Sequence, residues 1–262
     1  MNKIRYYSQN GEDLLLSTFF HGKKKGFYIE VGAFDGIHLS NTYYFEKLGW
    51  DGICIEAHPS YFPKCKENRA NSLCIHAACT GDETLKEVTF SSEELGLLSG
   101  VEERGDIKQR YDGRGLKFEG FKKVSVPAVT LNSVLGMQKN KQDIDFISID
   151  VEGHEIEVLK GLNLETYRPR ILVIEANTPA DETKLDNFLV EQRRYFKAKR
   201  LSENIFYCRE SSDAQELKKI DIRNYVSMSP HPLGEKYNLP SKRNNSGGLF
   251  MKILNKVKGL VK

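Results

Sequence analysis

The chain has 262 residues, of which 39% are hydrophobic and 29% charged, with a formal net charge of +3. That is the composition of one sizeable globular domain, not of a disordered or fibrous chain. Six basic and no acidic residues follow position 240, so residues 1–240 carry about −3, a balance that argues against a nucleic-acid-binding body. The five cysteines, Cys54, Cys65, Cys74, Cys79 and Cys208, are odd in number and form no C-x-x-C pair, which predicts a reducing compartment and no zinc site. The polar start and the lack of a long apolar run predict a cytoplasmic protein with neither signal peptide nor membrane span.

Within residues 1–22, Leu14, Leu15, Phe19 and Phe20 recur at helical spacing behind Asn10 as cap and Asp13 three residues on. Phe27–Val31 reads as a strand that ends in a loop holding Gly32 and Gly36. Ser40 and Asn41 are suited to cap a helix through Tyr43, Tyr44, Phe45 and Leu48. Gly52–Ile55 is a second strand closed by Glu56. Pro59 opens a helix through Asn68, and Leu73–Ala77 is a third strand running into the turn Thr80-Gly81-Asp82. Three such βα units in succession argue for an open parallel sheet.

Residues 84–129 break the rhythm. Leu85–Phe90 and Phe121–Val129 read as strands, and the polar, glycine-rich stretch Ser91–Gly120 between them reads as an excursion over the site. Thr130 caps a short helix through Leu135. Asp143–Ile149 is a buried-type strand ending in Asp150, and Ile156, Val158, Leu159 and Leu162 mark the helix after it, with Glu155 and Glu157 on its solvated face. Arg170–Ile174 is a fifth strand ending in Glu175 and Asn177. A helix over about 181–194 precedes a hairpin, 197–201 with 205–208, around Ser202-Glu203-Asn204. Five parallel units closed by an antiparallel hairpin form the sheet of a class I methyltransferase, an α/β Rossmann-like fold, and not that of a dehydrogenase. The expected organisation is a domain over 1–208 with an insertion at 84–129, an irregular extension over 209–248, and a basic amphipathic tail over 249–262, suited to an anionic membrane surface or a partner protein.

Gly32 and Gly36 do not make the G-x-G-x-x-G of a dinucleotide site, which weakens the alternative of an NAD-linked oxidoreductase. Glu56 follows the loop by about 20 residues, the spacing at which a carboxylate meets a ribose diol. Glu30 beside the loop suits a cationic amine. S-adenosylmethionine satisfies both. Methyl transfer to a hydroxyl then needs a base or a metal ion. Asp150, Glu175 and Asn177, on neighbouring strand ends, are oxygen ligands suited to Mg²⁺ or Mn²⁺. Without a metal, Asp150 or His154 is the candidate base, and Glu152 stands between them.

The segments YSQNGEDLLL (7–16), YIEVGAFDGIHLSNTYYFEKLGWDGICIEAHP (28–59), SVPAVTLNSVL (125–135) and DFISIDVEGHEIEVLKGL (145–162) resemble the FkbM-type family of S-adenosylmethionine-dependent O-methyltransferases. The resemblance spans about residues 6–208 and is most specific in the last segment. It departs at Glu30, where Asp is frequent, and at Phe34, where Asn is. It implies transfer to hydroxyls, often of sugars or polyketide-like small molecules, so a nucleotide-linked sugar or surface glycan precursor is the expected acceptor. It implies further that Glu30, Gly32, Ala33 and Gly36 line the cofactor, with Asp35 and Asn41 as additional contacts. By the same resemblance Glu56 holds the ribose, Ala78 lies near the adenine, and Gln9 closes the pocket. A degenerate, non-catalytic module in a glycan-assembly complex is the remaining alternative.

Overall fold

A computed structural model describes residues 6–93, 118–138 and 143–222, together with 96, 99–101, 112, 226–227 and 243–244. Seven strands form the main sheet: β1 (Phe27–Val31), β2 (Asp51–Glu56), β3 (Ser72–His76), β7 (Phe146–Ile149), β8 (Ile171–Glu175), β9 (Phe196–Leu201) and β10 (Asn204–Cys208). Their order is β3-β2-β1-β7-β8-β10-β9. The first five are parallel, and β10 runs antiparallel to both β8 and β9. This is the class I methyltransferase sheet expected from the sequence. The chain reverses its direction of travel across the sheet between β1 and β7, where Val31 lies opposite Ile149, and the crevice at such a switch point is where open α/β sheets bind ligands.

The central strands are apolar runs buried along their whole length, because helices cover both faces. Ile29, Val31, Ile53, Ile55, Ile147 and Leu172 face one core, which α4 (Leu131–Gly136), α5 (Glu155–Lys160) and α6 (Pro179–Asp186) close through Val134, Val158, Leu159 and Leu185. Tyr28, Cys54, Phe146, Val173 and Phe206 face the other, under α1 (Glu12–Phe19), α2 (Tyr43–Lys47), α3 (Phe62–Asn68) and α7 (Ser211–Lys219).

Local chemistry moves several boundaries. The cap of α1 is Gly11, at φ 101°, and not Asn10, whose backbone and side-chain N–H groups both donate to Glu12. Ser40 Oγ accepts the Thr42 and Tyr43 N–H groups at the start of α2, but the Asn41 amide donates instead to Ser148 Oγ across the sheet. The helix expected from Pro59 starts at Phe62, with Pro63 in its first turn, because Glu56 captures the His58 N–H and holds the preceding residues in a turn. Thr178 and Asp181 form a reciprocal capping box that starts α6 earlier than expected, and the helix continues as a π-helical segment, Asn187–Gln192. The 84–129 insertion builds a second sheet: β5 (Glu87–Ser92) pairs antiparallel with β6 (Lys122–Val129), and β6 pairs in parallel with β4 (Ala78–Cys79). The 209–248 stretch, expected to be irregular, opens with α7. Most of Ser91–Gly120, nearly all of 223–248 and the whole of 249–262 lie outside the described residues.

Among the described residues one cation is buried completely. Arg69, just past α3, pairs with Glu30 at 2.9 Å and Glu46 at 2.8 Å, and donates further to Tyr28 Oη, Thr42 Oγ1 and the Gly36 carbonyl. Removing one partner of such a group strands the others without a counter-charge. Arg69→Met is expected to lower unfolding free energy by about 3–5 kcal/mol in denaturant melts, while Glu216→Gln, which breaks only the surface pair with His21, leaves the midpoint unchanged. Equal midpoints for Arg69→Met and wild type would refute this account.

Candidate active site

The loop after β1 is shaped by two glycines. An ideal Cβ on Gly32, at φ 84°, would lie 1.8 Å from the Asp150 carbonyl oxygen, so only glycine lets the β1 and β7 ends meet. On Gly36, at φ 83°, it would lie 2.6 Å from Arg69 Cγ. The Gly32 and Ala33 N–H groups both donate to the Ile55 carbonyl, which binds the loop to β2. Phe34 takes φ 53°, donates its N–H to Glu56 Oε2 at 2.6 Å, and lays its ring on Tyr61 with centroids 4.1 Å apart. Asp35 accepts the Ile37 and His38 N–H groups and lies 2.6 Å from His38 Nδ1. Burial pushes its carboxyl up, but the bonds from His38 and Ile37 outweigh burial and hold it below the usual carboxylate value.

Glu30 is not placed to receive a cofactor ammonium. Its buried carboxylate accepts Ser40 Oγ, the Asn41 N–H, Thr42 Oγ1 and Arg69 Nη1, which uses its lone pairs. It fixes the 36–42 loop from beneath. Gln9 is half-buried next to Ser8, which bridges to Leu39 of that loop. Glu56 accepts the Phe34 N–H on one oxygen and the His58 N–H on the other. Burial pushes its pKa up to about 7 against the backbone bonds from His58, Phe34 and Ala57, and Glu30 adds like charge. Ala78 lies buried in β4 with Phe90 and Val126, beside Ala57.

The second half of the site is acidic. Asp150, Glu152 and Glu175 each place a carboxylate oxygen within 4.8 Å of the other two. Glu152 is held there at φ 55°, because Glu155 reaches back to accept the Val151 and Gly153 N–H groups. Glu155 is therefore a buried staple and not part of a solvated helix face, whereas Glu157 pairs with Lys160. His154 is half-buried at the cap position of α5. Asn177 lies half-buried beyond Ala176, and the carboxylate that joins Asp150 and Glu175 is Glu152.

Solvent reaches Asp150 from the crevice, while protein crowds its carboxylate on the other sides. Burial pushes its pKa up to about 7, and Glu155, Glu12 and Glu203 add like charge. Glu175, 8% exposed, is pushed well above the carboxylate range by burial and then by Asp150, Glu152 and Glu155. Its Oε2 is buried without a hydrogen-bond partner, as is Glu203 Oε2.

Glu12, Glu203 and Asn204 also wall this centre, and the sequence reading did not assign them. Glu12 accepts the Asn204 side-chain amide at 2.9 Å, and Asn204 lies opposite Glu175 in the β8–β10 ladder. The hairpin was legible in the sequence; its register against β8 is what carries Glu203 to Asp150.

Residues 30–202 match the Methyltransferase FkbM domain, about two thirds of the chain. The chain belongs to the FkbM methyltransferase family. Similar solved structures include the METTL16 MTase domain, 12% identical with a TM-score of 0.44, covering 77% of this chain and 67% of that one. The precorrin-6y C5,15-methyltransferase from Geobacter metallireducens GS-15 is 13% identical with a TM-score of 0.42, covering 79% and 89%. No curated protein matches the sequence. Family membership makes the chain a methyltransferase and implies S-adenosylmethionine, which sets aside the oxidoreductase alternative. The donor set suits that cofactor: the glycine loop and the Glu56 carboxylate, an acceptor for ribose hydroxyls, lie together at the carboxyl ends of β1 and β2. The FkbM match includes the glycine loop, Glu56, Asp150, Glu152 and Glu175, while Glu12, Glu203 and Asn204 fall outside it. Among the described residues no helix is long and apolar enough to cross a membrane.

The folded protein keeps protons on Glu56 and Asp150 up to about pH 7, whereas the unfolded chain releases them near 4.5 and 3.8. The native state binds more protons in that window, so these groups make stability fall as pH rises from about 4 to about 7. Asp150→Asn is expected to melt above wild type at pH of about 8 and to show a smaller gain on acidification to about 6. An Asp150→Asn midpoint at or below wild type near pH 8 would refute this.

Proposed function

We propose that this methyltransferase transfers the methyl group of S-adenosylmethionine to a hydroxyl of a sugar, carried as a nucleotide-linked sugar or surface glycan precursor, with Mg²⁺ or Mn²⁺ held by Asp150, Glu152 and Glu175. The observation that carries the reading is the convergence of three carboxylates within 4.8 Å at the switch point, with Glu175 Oε2 buried and unsatisfied. All-oxygen donors favour a hard divalent cation over zinc. The same donors suit the vicinal hydroxyls of a sugar, which such a cation binds and acidifies.

When bound, the cofactor supplies an electrophilic methyl on a sulfonium centre. Glu56 accepts the ribose hydroxyls, and the backbone of Gly32–Gly36 closes against the methionine end. Asp150, beside Gly32, faces the acceptor oxygen. Glu155 and the Glu152–Gly153 turn hold the acceptor side rigid, and Glu12 and Glu203 keep its potential negative. A second reading uses no metal: a carboxyl pushed up to about 7 is suited to a general base at neutral pH, and Asp150 is such a group. The basic stretch 249–262 would hold the enzyme near lipid-linked precursors on an anionic membrane.

The test is methyl transfer to a panel of nucleotide-linked sugars, with and without EDTA, read by mass spectrometry. A product lost in EDTA and restored by Mg²⁺ or Mn²⁺ supports the metal-assisted reading; one insensitive to EDTA leaves Asp150 as the base. Glu175→Gln is expected to lower kcat by about 100-fold or more while S-adenosylhomocysteine still binds. Glu56→Gln is expected to weaken that binding by about tenfold or more and to leave kcat largely intact. Calorimetry that finds no S-adenosylhomocysteine binding to the wild type would overturn the proposal.

A further inference from the structure

Cys54, Cys65 and Cys74, from three successive elements, meet on the face of β2 and β3 opposite to Ile53. Cys54 stands on β2, Cys74 directly beside it on β3, and Cys65 on α3 packs over both strands. Their Sγ atoms all lie within 4.8 Å of one another. Three sulfurs bound to one ion at about 2.3 Å in a plane stand about 4 Å apart, so the thiols are already spaced as ligands. Cys54 and Cys65 are fully buried. Cys74 is half-buried on the edge strand of the sheet and gives a route from solvent.

As a thiol, Cys74 Sγ donates weakly to the carbonyl oxygens of Cys65, Arg69 and Ser72 at 3.8–3.9 Å. Cys54 and Cys65 belong to the apolar core that includes Tyr28, Phe45 and Phe146, with the Arg69 guanidinium acting on Cys54. Among the described residues no fourth His, Cys, Asp or Glu joins the three sulfurs, which suits a three-coordinate ion better than zinc, which takes four.

We infer that Cys54, Cys65 and Cys74 form a three-thiolate site for a soft, thiophilic cation, monovalent copper foremost. Bound there, the ion replaces the thiol protons and cross-links β2, α3 and β3, the elements that carry Glu56 and Arg69. The site is separate from the acidic centre and does not depend on the acceptor assigned to it.

The test uses the full chain, purified with a reductant and without oxygen, in competition with a chromogenic Cu(I) chelator. The wild type is expected to withdraw one equivalent of Cu(I), with a rise in thiolate-to-metal ultraviolet absorption. Cys65→Ser is expected to bind about tenfold more weakly or worse, one missing thiolate costing at least one decade of affinity. Cys79→Ser and Cys208→Ser should bind as the wild type does. Cys74→Ser, altered at a half-buried edge position, repeats the test should Cys65→Ser fail to fold. A wild type that leaves the chelator saturated overturns the site, as does unchanged binding in both ligand variants. Loss of two hydrogens from the reduced wild type on copper addition, showing a disulfide in place of a complex, overturns it as well.

Discussion

The buried ion pair network of Arg69 is the interaction on which the rest of the structure depends. A guanidinium removed from water is stable only with its charge and N–H groups matched, and Glu30, Glu46, Gly36, Tyr28 and Thr42 supply that match. Those partners come from β1, the glycine loop, and the start and body of α2. The end of α3 is thereby tied to the loop that approaches the cofactor, and Glu30, Ser40 and Asn41 are locked in one arrangement. The loop is rigid for reasons that lie beneath it, which is what a site needs to hold a reacting methyl in line.

Above that base, charge is arranged in the opposite way. Asp150, Glu152 and Glu175 converge with Glu12, Glu155 and Glu203 nearby, and the pKa shifts at Asp150 and Glu175 run upward from burial and mutual repulsion. Buried carboxylates that structure alone requires are paired, as Glu30 and Glu46 are with Arg69. In the acidic centre the carboxyl groups meet one another, Asp150 hydrogen-bonded to Glu175, and one Glu175 oxygen is unsatisfied, so a cation or a proton is favoured at the place where an acceptor hydroxyl must be activated. The two halves of the molecule thus treat the same residue type differently, and the difference separates scaffold from chemistry.

Much of this was legible in the sequence. Apolar runs in short segments gave the parallel strands, because a strand covered on both faces has no polar side to show. Thr130 announced the helix after it, and it forms a capping box with Ser133. The errors have one source. Asn10, Asn41 and Pro59 are good local signals for helix starts, yet buried partners claim those residues or their neighbours first: Glu12 and Glu56 from two residues away in the chain, and Ser148 from across the sheet. Glu155 looked like an exposed helical acid and is drawn inward by two backbone N–H groups that only the folded Asp150–Gly153 turn presents.

The sequence by itself determined the strand set, the glycine loop, the family and the positions of Glu56, Asp150 and Glu175 at strand ends. Those follow from hydrophobic period, turn chemistry and spacing along the chain, all of which are local. Only the tertiary structure decided which carboxylates are counter-ions and which are free to act: Glu30 meets Arg69 from 39 residues away, while Glu12 and Glu203 arrive from the two ends of the domain. It also decided that three scattered cysteines form one cluster. Burial and charge state depend on neighbours brought close by packing, and no local pattern of residues records who those neighbours will be.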